Sequence, residues 1–443
     1  MKPVLLIFLP LLTVLFVAPP ALLGTPLWQL GNALALATGL GAKLACSGRF
    51  VSGFDDQRIL DDLASYAEVN RRLSLDFTAD GVRVTLFGLA ATSATYRPGL
   101  GCTLDTGDAA LLDGLSVPPG AASPGMPLAV AIADPAQQAT QAVLRADNAE
   151  GLQTRALLVL QGDTLIAESY APGFDAGSRL LGWSMGKSLM AIVIGRMEAL
   201  EIIPAGVPGP LFPEWAQDDR ARIGLTEVLQ MTSGLGWQED YVPGSDSTRM
   251  LFRAPSASAV ALASPAEHPP GEQFYYSSGS TNLLARFAAE RLGGPQAQLD
   301  FLQREVLQPL GMAGAVLEVD PTGLVVASSF VYATARDWVR LGRLLLDQGA
   351  VNGRPFLPPD WVARATRPNN SLNDPRYGYQ LWLNGGGSEL RWPGLPPDAY
   401  AMLGNRGQAV LVLPDEALVL VRLGWTAGDY PLAQKMGGLL SRL

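Results

Sequence analysis

Gly182-Trp183-Ser184-Met185-Gly186-Lys187-Ser188-Leu189-Met190 opens a run that continues through Ile192, Val193, Ile194 and Met197. The run is apolar nearly all round, which predicts a buried central helix. Ser184 and Lys187 are three residues apart, so a helix puts them on one face and lets the lysine nitrogen reach the serine hydroxyl. Burial disfavours an ammonium and lowers its pKa, which suits Lys187 to act as a base near neutral pH. The backbone N–H of Ser184, at the helix start, is placed to hold an oxyanion. The same spacing also describes a helix start with an incidental lysine, and the rest of the chain has to separate the two.

Composition narrows the choice. The 443 residues contain only four lysines, Lys2, Lys43, Lys187 and Lys435, so a lysine set among apolar residues calls for a reason. There is one histidine, His268, and there are two cysteines, Cys46 and Cys102. A four-ligand zinc site cannot be assembled from these, and neither a metal nor another cofactor is expected. A Ser-His-Asp triad would have to recruit His268, which lies in the turn-rich Glu267-His268-Pro269-Pro270-Gly271 and reads as an ordinary exposed residue. A formal net charge of -9 without any Lys/Arg-rich stretch argues against nucleic acid as a partner and for a small-molecule substrate. A content of 48% hydrophobic and 16% charged residues describes a globular, loop-rich chain.

Lys2, a nearly unbroken apolar run from Val4 to Ala18, and Pro19-Pro20 form the charged start and hydrophobic core of an export signal. Apolar character resumes through Ala21-Leu22-Leu23, so residues 1–24 read either as a signal peptide or as an uncleaved anchor in the inner membrane. Pro10 and the short run count against a standard transmembrane helix of about 20 residues. A periplasmic location is oxidising, which predicts a disulfide between Cys46 and Cys102. These two lie in an N-terminal module, residues 25–134 with a Pro/Gly/Ala linker over Val117 to Pro127, in which Asp56 to Tyr66 reads as a helix and Arg83–Phe87 and Ala91–Tyr96 as strands. Residues 135–443 form the main domain. Helix Pro135 to Arg145 precedes a hairpin, Arg155–Leu160 and Thr164–Glu168. Near the other end, strands Gln408–Leu413 and Leu418–Gly424 precede a helix from Leu432 to Leu443. Sheet-forming ends around a helical middle give an α+β fold.

Ser184-Met185-Gly186-Lys187 resembles the first motif of the serine β-lactamases and penicillin-binding proteins. Leu229-Gln230-Met231-Thr232-Ser233-Gly234-Leu235 resembles the helix-end signature of the class C β-lactamase-related branch. Pro270-Gly271-Glu272-Gln273-Phe274-Tyr275-Tyr276-Ser277-Ser278-Gly279 is similar to its second motif. Ala333-Thr334-Ala335-Arg336-Asp337 and Arg376-Tyr377-Gly378-Tyr379-Gln380-Leu381-Trp382 fit that branch as well. The N-terminal module, with Cys46-Ser47-Gly48 and Tyr96-Arg97-Pro98-Gly99-Leu100-Gly101-Cys102, resembles proteins close to the 6-aminohexanoate-dimer hydrolases. The resemblance implies a β-lactamase-like antiparallel sheet flanked by helices, with a helical subdomain and the small α/β module in front.

Carried over by position, the resemblance makes Tyr276 the third catalytic group, with Tyr275 as its competitor, and gives Ser278 to substrate binding. A phenol beside Ser184 and Lys187 can relay a proton to the leaving group, and a positive neighbour would favour its phenolate. The third motif departs from the family pattern. Where Lys-Thr-Gly or His-x-Gly is expected, this chain has Gly404-Asn405-Arg406-Gly407-Gln408. Asn405 and Gly407 are then substrate-binding positions, Arg406 supplies the cation if its side chain turns inward, and the N–H of Gln408 is the second oxyanion donor. The reading that follows is a serine hydrolase of small amides or esters working through an acyl-enzyme. The rival is a non-catalytic penicillin-binding-like protein that holds a cell-wall peptide or partner. The oligomeric state is not legible.

Overall fold

A computed structural model describes residues 29–119 and 125–443. The proposed signal, residues 1–24, lies outside the described residues, as does the middle of the Val117–Pro127 linker. Among the described residues no helix is long and apolar enough to cross a membrane.

The main sheet has seven strands in the order Trp382–Leu383, Tyr400–Gly404, Gln408–Leu413, Leu418–Gly424, Thr154–Gln161, Thr164–Tyr170 and Ala129–Val130. All neighbours are antiparallel except the last pair. The central strands are apolar at nearly every position because both faces are covered. Side chains alternate across a strand, so Leu157, Val159, Leu411 and Leu420 pack under helices Asp134–Ala149 and Leu432–Leu440. Their neighbours Leu158, Leu160, Val410 and Val421 face the larger core with helices Met185–Ala199 and Ala335–Leu346. The fold is thus mixed α+β, a sheet flanked by helices. Strands Gln408–Leu413 and Leu418–Gly424 begin and end as the sequence predicts.

The N-terminal module is a four-stranded antiparallel meander, Leu73–Phe77, Gly81–Leu86, Ala90–Arg97 and Gly101–Leu104. Helix Leu30–Phe50, which the sequence reading lacks, lies across it. Cys46 of that helix is joined to Cys102 of the last strand by a disulfide. Beside it, the fully buried Lys43 meets Glu318 of the main domain at 2.8 Å. The other carboxylate oxygen of Glu318 accepts from Ser47 Oγ and from the Cys102 N–H, each at 2.7 Å. A buried ion pair is tolerated only when its remaining polar atoms are also satisfied, and here both modules contribute to satisfying them.

Candidate active site

The short strand Leu180–Leu181 pairs with Val331–Ala333 and leads into a tight turn. Trp183 takes a left-handed backbone (φ 48°), an uncommon state for a bulky residue, and this sets Ser184 at the N-terminus of helix Met185–Ala199. A side chain at Gly182 would place its Cβ 2.2 Å from the Trp338 ring, so the turn requires glycine there. The Ser184 N–H has no acceptor among the described residues. It is therefore free for an oxyanion.

Lys187, one turn along, is 1% exposed. Its Nζ lies 2.9 Å from Ser184 Oγ, 2.9 Å from Ser278 Oγ and 3.1 Å from the Ser328 carbonyl. Burial lowers its pKa to about 8, against the opposing pull of the Glu239 carboxylate. Ser278, expected to touch substrate, is fully buried, and its hydroxyl sits between Lys187 and Glu239 Oε1, the latter at 2.5 Å. Glu239 Oε2 also accepts from the Ser278 N–H (2.8 Å) and Trp237 Nε1 (2.7 Å). The direction of each bond follows. A carboxylate only accepts, so the Ser278 hydroxyl donates to Glu239 and accepts from Lys187. The Ser328 carbonyl also only accepts. A neutral Lys187 amine, with two hydrogens, fills both positions and turns its lone pair toward the Ser184 hydroxyl.

The Tyr276 ring stacks on Trp382 at 5.0 Å with Lys187 Nζ 4.8 Å from its centroid, and its phenol lies near enough to Ser184 for the serine to favour its ionised form. Tyr275 is 49% exposed and has no such contact. The expectation of a phenolate does not hold. Burial first, then Tyr377 and Glu239, push the Tyr276 phenol well above its ordinary value, so it stays protonated beside the amine. Tyr241, absent from the sequence reading, lies two residues after Glu239 in the same loop and is 42% exposed.

The Gly404–Gln408 loop packs against the turn before Ser184. A Cβ at Gly404 would lie 2.2 Å from the Gly182 carbonyl. Arg406 is buried, with its guanidinium 3.5 Å from the centroid of the Tyr66 ring of the N-terminal module. Arg422, at 0% exposure the only charged residue in its strand, donates to the carbonyls of Arg406 (2.9 Å) and Gly407 (2.8 Å) and so fixes the loop. Gln408 closes the other side, donating to the Asn405 carbonyl at 3.2 Å. His268 is exposed, and its ring has no hydrogen bond or ion pair among the described residues.

Glu239 and Tyr241 escaped the sequence reading because they sit in an irregular loop, where no periodicity marks them. Arg422 did leave a signal, a lone arginine in the apolar Leu418-Val419-Leu420-Val421-Arg422-Leu423.

The chain is similar to several known proteins. The chain is 31% identical over 222 residues to the 6-aminohexanoate-dimer hydrolase of Paenarthrobacter ureafaciens, a stretch covering 47% of this chain and 56% of that protein. It therefore spans little more than half the length of that curated relative. Among solved structures, a Bacillus anthracis protein provisionally named a 6-aminohexanoate-dimer hydrolase superposes with a TM-score of 0.60 at 18% identity, covering 75% of this chain and 91% of that one. A penicillin-binding protein homolog from Caulobacter crescentus gives 0.53 at 16% identity, covering 70% and 98%. At these identities the likeness is one of fold. The family model described as Beta-lactamase matches residues 139–436, a span that holds Ser184, Lys187, Tyr276 and every strand of the main sheet but Ala129–Val130, and by that match the chain belongs to the beta-lactamase family.

Proposed function

We propose that this protein is a serine hydrolase that cleaves small amides or esters through an acyl-enzyme. The observation that carries the reading is Lys187, buried, its pKa lowered to about 8 and its nitrogen 2.9 Å from Ser184 Oγ. Neutral Lys187 takes the Ser184 proton as the oxygen attacks the substrate carbonyl. The N–H groups of Ser184 and Gln408 hold the oxyanion. Tyr276, still protonated, gives its proton to the leaving group and recovers one from Lys187. Water then releases the acyl group by the same path reversed. The Cys46–Cys102 disulfide supports an exported, oxidising location. A fluorophosphonate probe is expected to label Ser184, mapped by peptide mass. A labelled protein that turns over no amide or ester, or an unlabelled one, would favour the penicillin-binding-like, non-catalytic alternative, and an unlabelled one would end the hydrolase reading.

The acid limb of kcat/KM is expected near pH 8, because activity rises as Lys187 loses its proton. Glu239→Gln removes the carboxylate that raises the Lys187 pKa, so the limb should move to lower pH. It also frees the Ser278 hydroxyl to turn toward the lysine lone pair, which should lower the plateau by roughly tenfold. A pH profile unchanged in both limb and height would remove Glu239 from the proton circuit.

A further inference from the structure

A cavity of about 260 Å³ lies where the N-terminal module meets the candidate site. Ala33, Leu36 and Ala37, on one face of helix Leu30–Phe50, form one wall, and Trp183, Tyr241 and Asn405 belong to the other. Three observations tie this space to the chemistry. Trp183 is the residue before Ser184, Asn405 stands in the third motif, and Tyr241 lies two residues after Glu239, which accepts from the Ser278 hydroxyl. No side chain in the lining is charged. The buried Trp183 Nε1 and Tyr66 hydroxyl in that lining have no partner among the described residues, so the surface can meet a neutral oxygen but offers no counter-ion. Apolar cavities of about 150 Å³ already take benzene, and this one has room for an alkyl chain.

The wall is held firmly. Gly39 approaches the Phe252 carbonyl so closely that a Cβ would lie 2.5 Å from it, and Arg253 donates to Asn32 Oδ1 at 2.6 Å. We infer that this cavity binds an uncharged hydrocarbon chain of the substrate, and that the N-terminal helix thereby sets substrate choice. The inference rests on the hydrolase reading above and adds the substrate class to it. A charged chain such as that of a 6-aminohexanoate residue would have to shed its hydration here without compensation.

The test compares p-nitrophenyl acetate, hexanoate, octanoate and 6-aminohexanoate, with octyl acetate to place the chain on the alcohol side. In the native protein kcat/KM should rise about fourfold per added methylene until the cavity is full, and neutral hexanoate should exceed 6-aminohexanoate by tenfold or more. Ala37→Phe, and separately Ala33→Phe, should remove tenfold or more of the activity on the octanoate or octyl ester while leaving p-nitrophenyl acetate within about twofold. Equal use of charged and neutral chains, or an equal loss on every ester in both variants, would overturn the inference. Calorimetry of octanamide with the Ser184→Ala protein separates the two proposals. Binding that Ala37→Phe abolishes supports the cavity even if no ester is turned over, and absence of binding to Ser184→Ala refutes it even if esters are cleaved.

Discussion

Lys187→Met is expected to yield a folded protein with acylation slowed by several orders of magnitude. The side chain is 1% exposed, and its pKa of about 8 stands against 10.5 for a free lysine. A folded-state pKa below the unfolded one means that the charged amine opposes folding. That cost, on the order of 3 kcal/mol at about 1.4 kcal/mol per pKa unit, is full below about pH 8 and fades as pH rises toward 10.5. Methionine removes it and keeps much of the volume, so the melting temperature at pH 7 should hold or rise. Lys187→Arg keeps a positive charge that cannot be removed, and it too should lose acylation. Burst-phase rates alongside thermal melts check both variants, and a well-folded Lys187→Met protein acylating at near-native rate would end the base assignment.

Ser184→Ala should remove turnover of p-nitrophenyl esters by about 10³-fold or more, the scale on which catalytic nucleophiles act, whereas His268→Ala should leave it within about twofold. The contrast rests on placement. Ser184 Oγ has Lys187 Nζ at 2.9 Å and the Tyr276 phenol nearby, and His268 is exposed on its loop. Substantial loss in the histidine variant would reopen a triad mechanism.

Four strands of the main sheet and the nucleophile helix were legible because each contains a continuous apolar run. Gln408–Leu413 and Leu418–Gly424 are bounded by turn residues and lie in the middle of the sheet, so nothing competes with their strand preference. Helix Leu30–Phe50 was not legible. Gly31, Gly39, Gly41 and Gly48 lower its intrinsic helix preference, and the last three provide close approach, Gly39 against Phe252, Gly41 against Leu73 and Val84, and Gly48 against Ile59. The site divides the same way. Ser184 and Lys187 follow from helical spacing, whereas Glu239 reaches Ser278 from 39 residues away in sequence along an irregular path. The phenolate expectation for Tyr276 weighed one positive neighbour, whereas burial together with Tyr377 and Glu239 acts in the other direction.

The Lys43–Glu318 pair also sets an order of events as the chain is made. Ser47 and Glu318, which share a hydrogen bond beside that pair, are 271 residues apart. At a synthesis rate of roughly 5–20 residues per second, the N-terminal helix exists for some tens of seconds before its carboxylate partner emerges. During that interval Lys43 has no counter-charge to be buried with, so a segment synthesised early must be among the last to lock. Its arrival completes the wall of the cavity beside Trp183, which makes substrate selection a property acquired only at the end of folding.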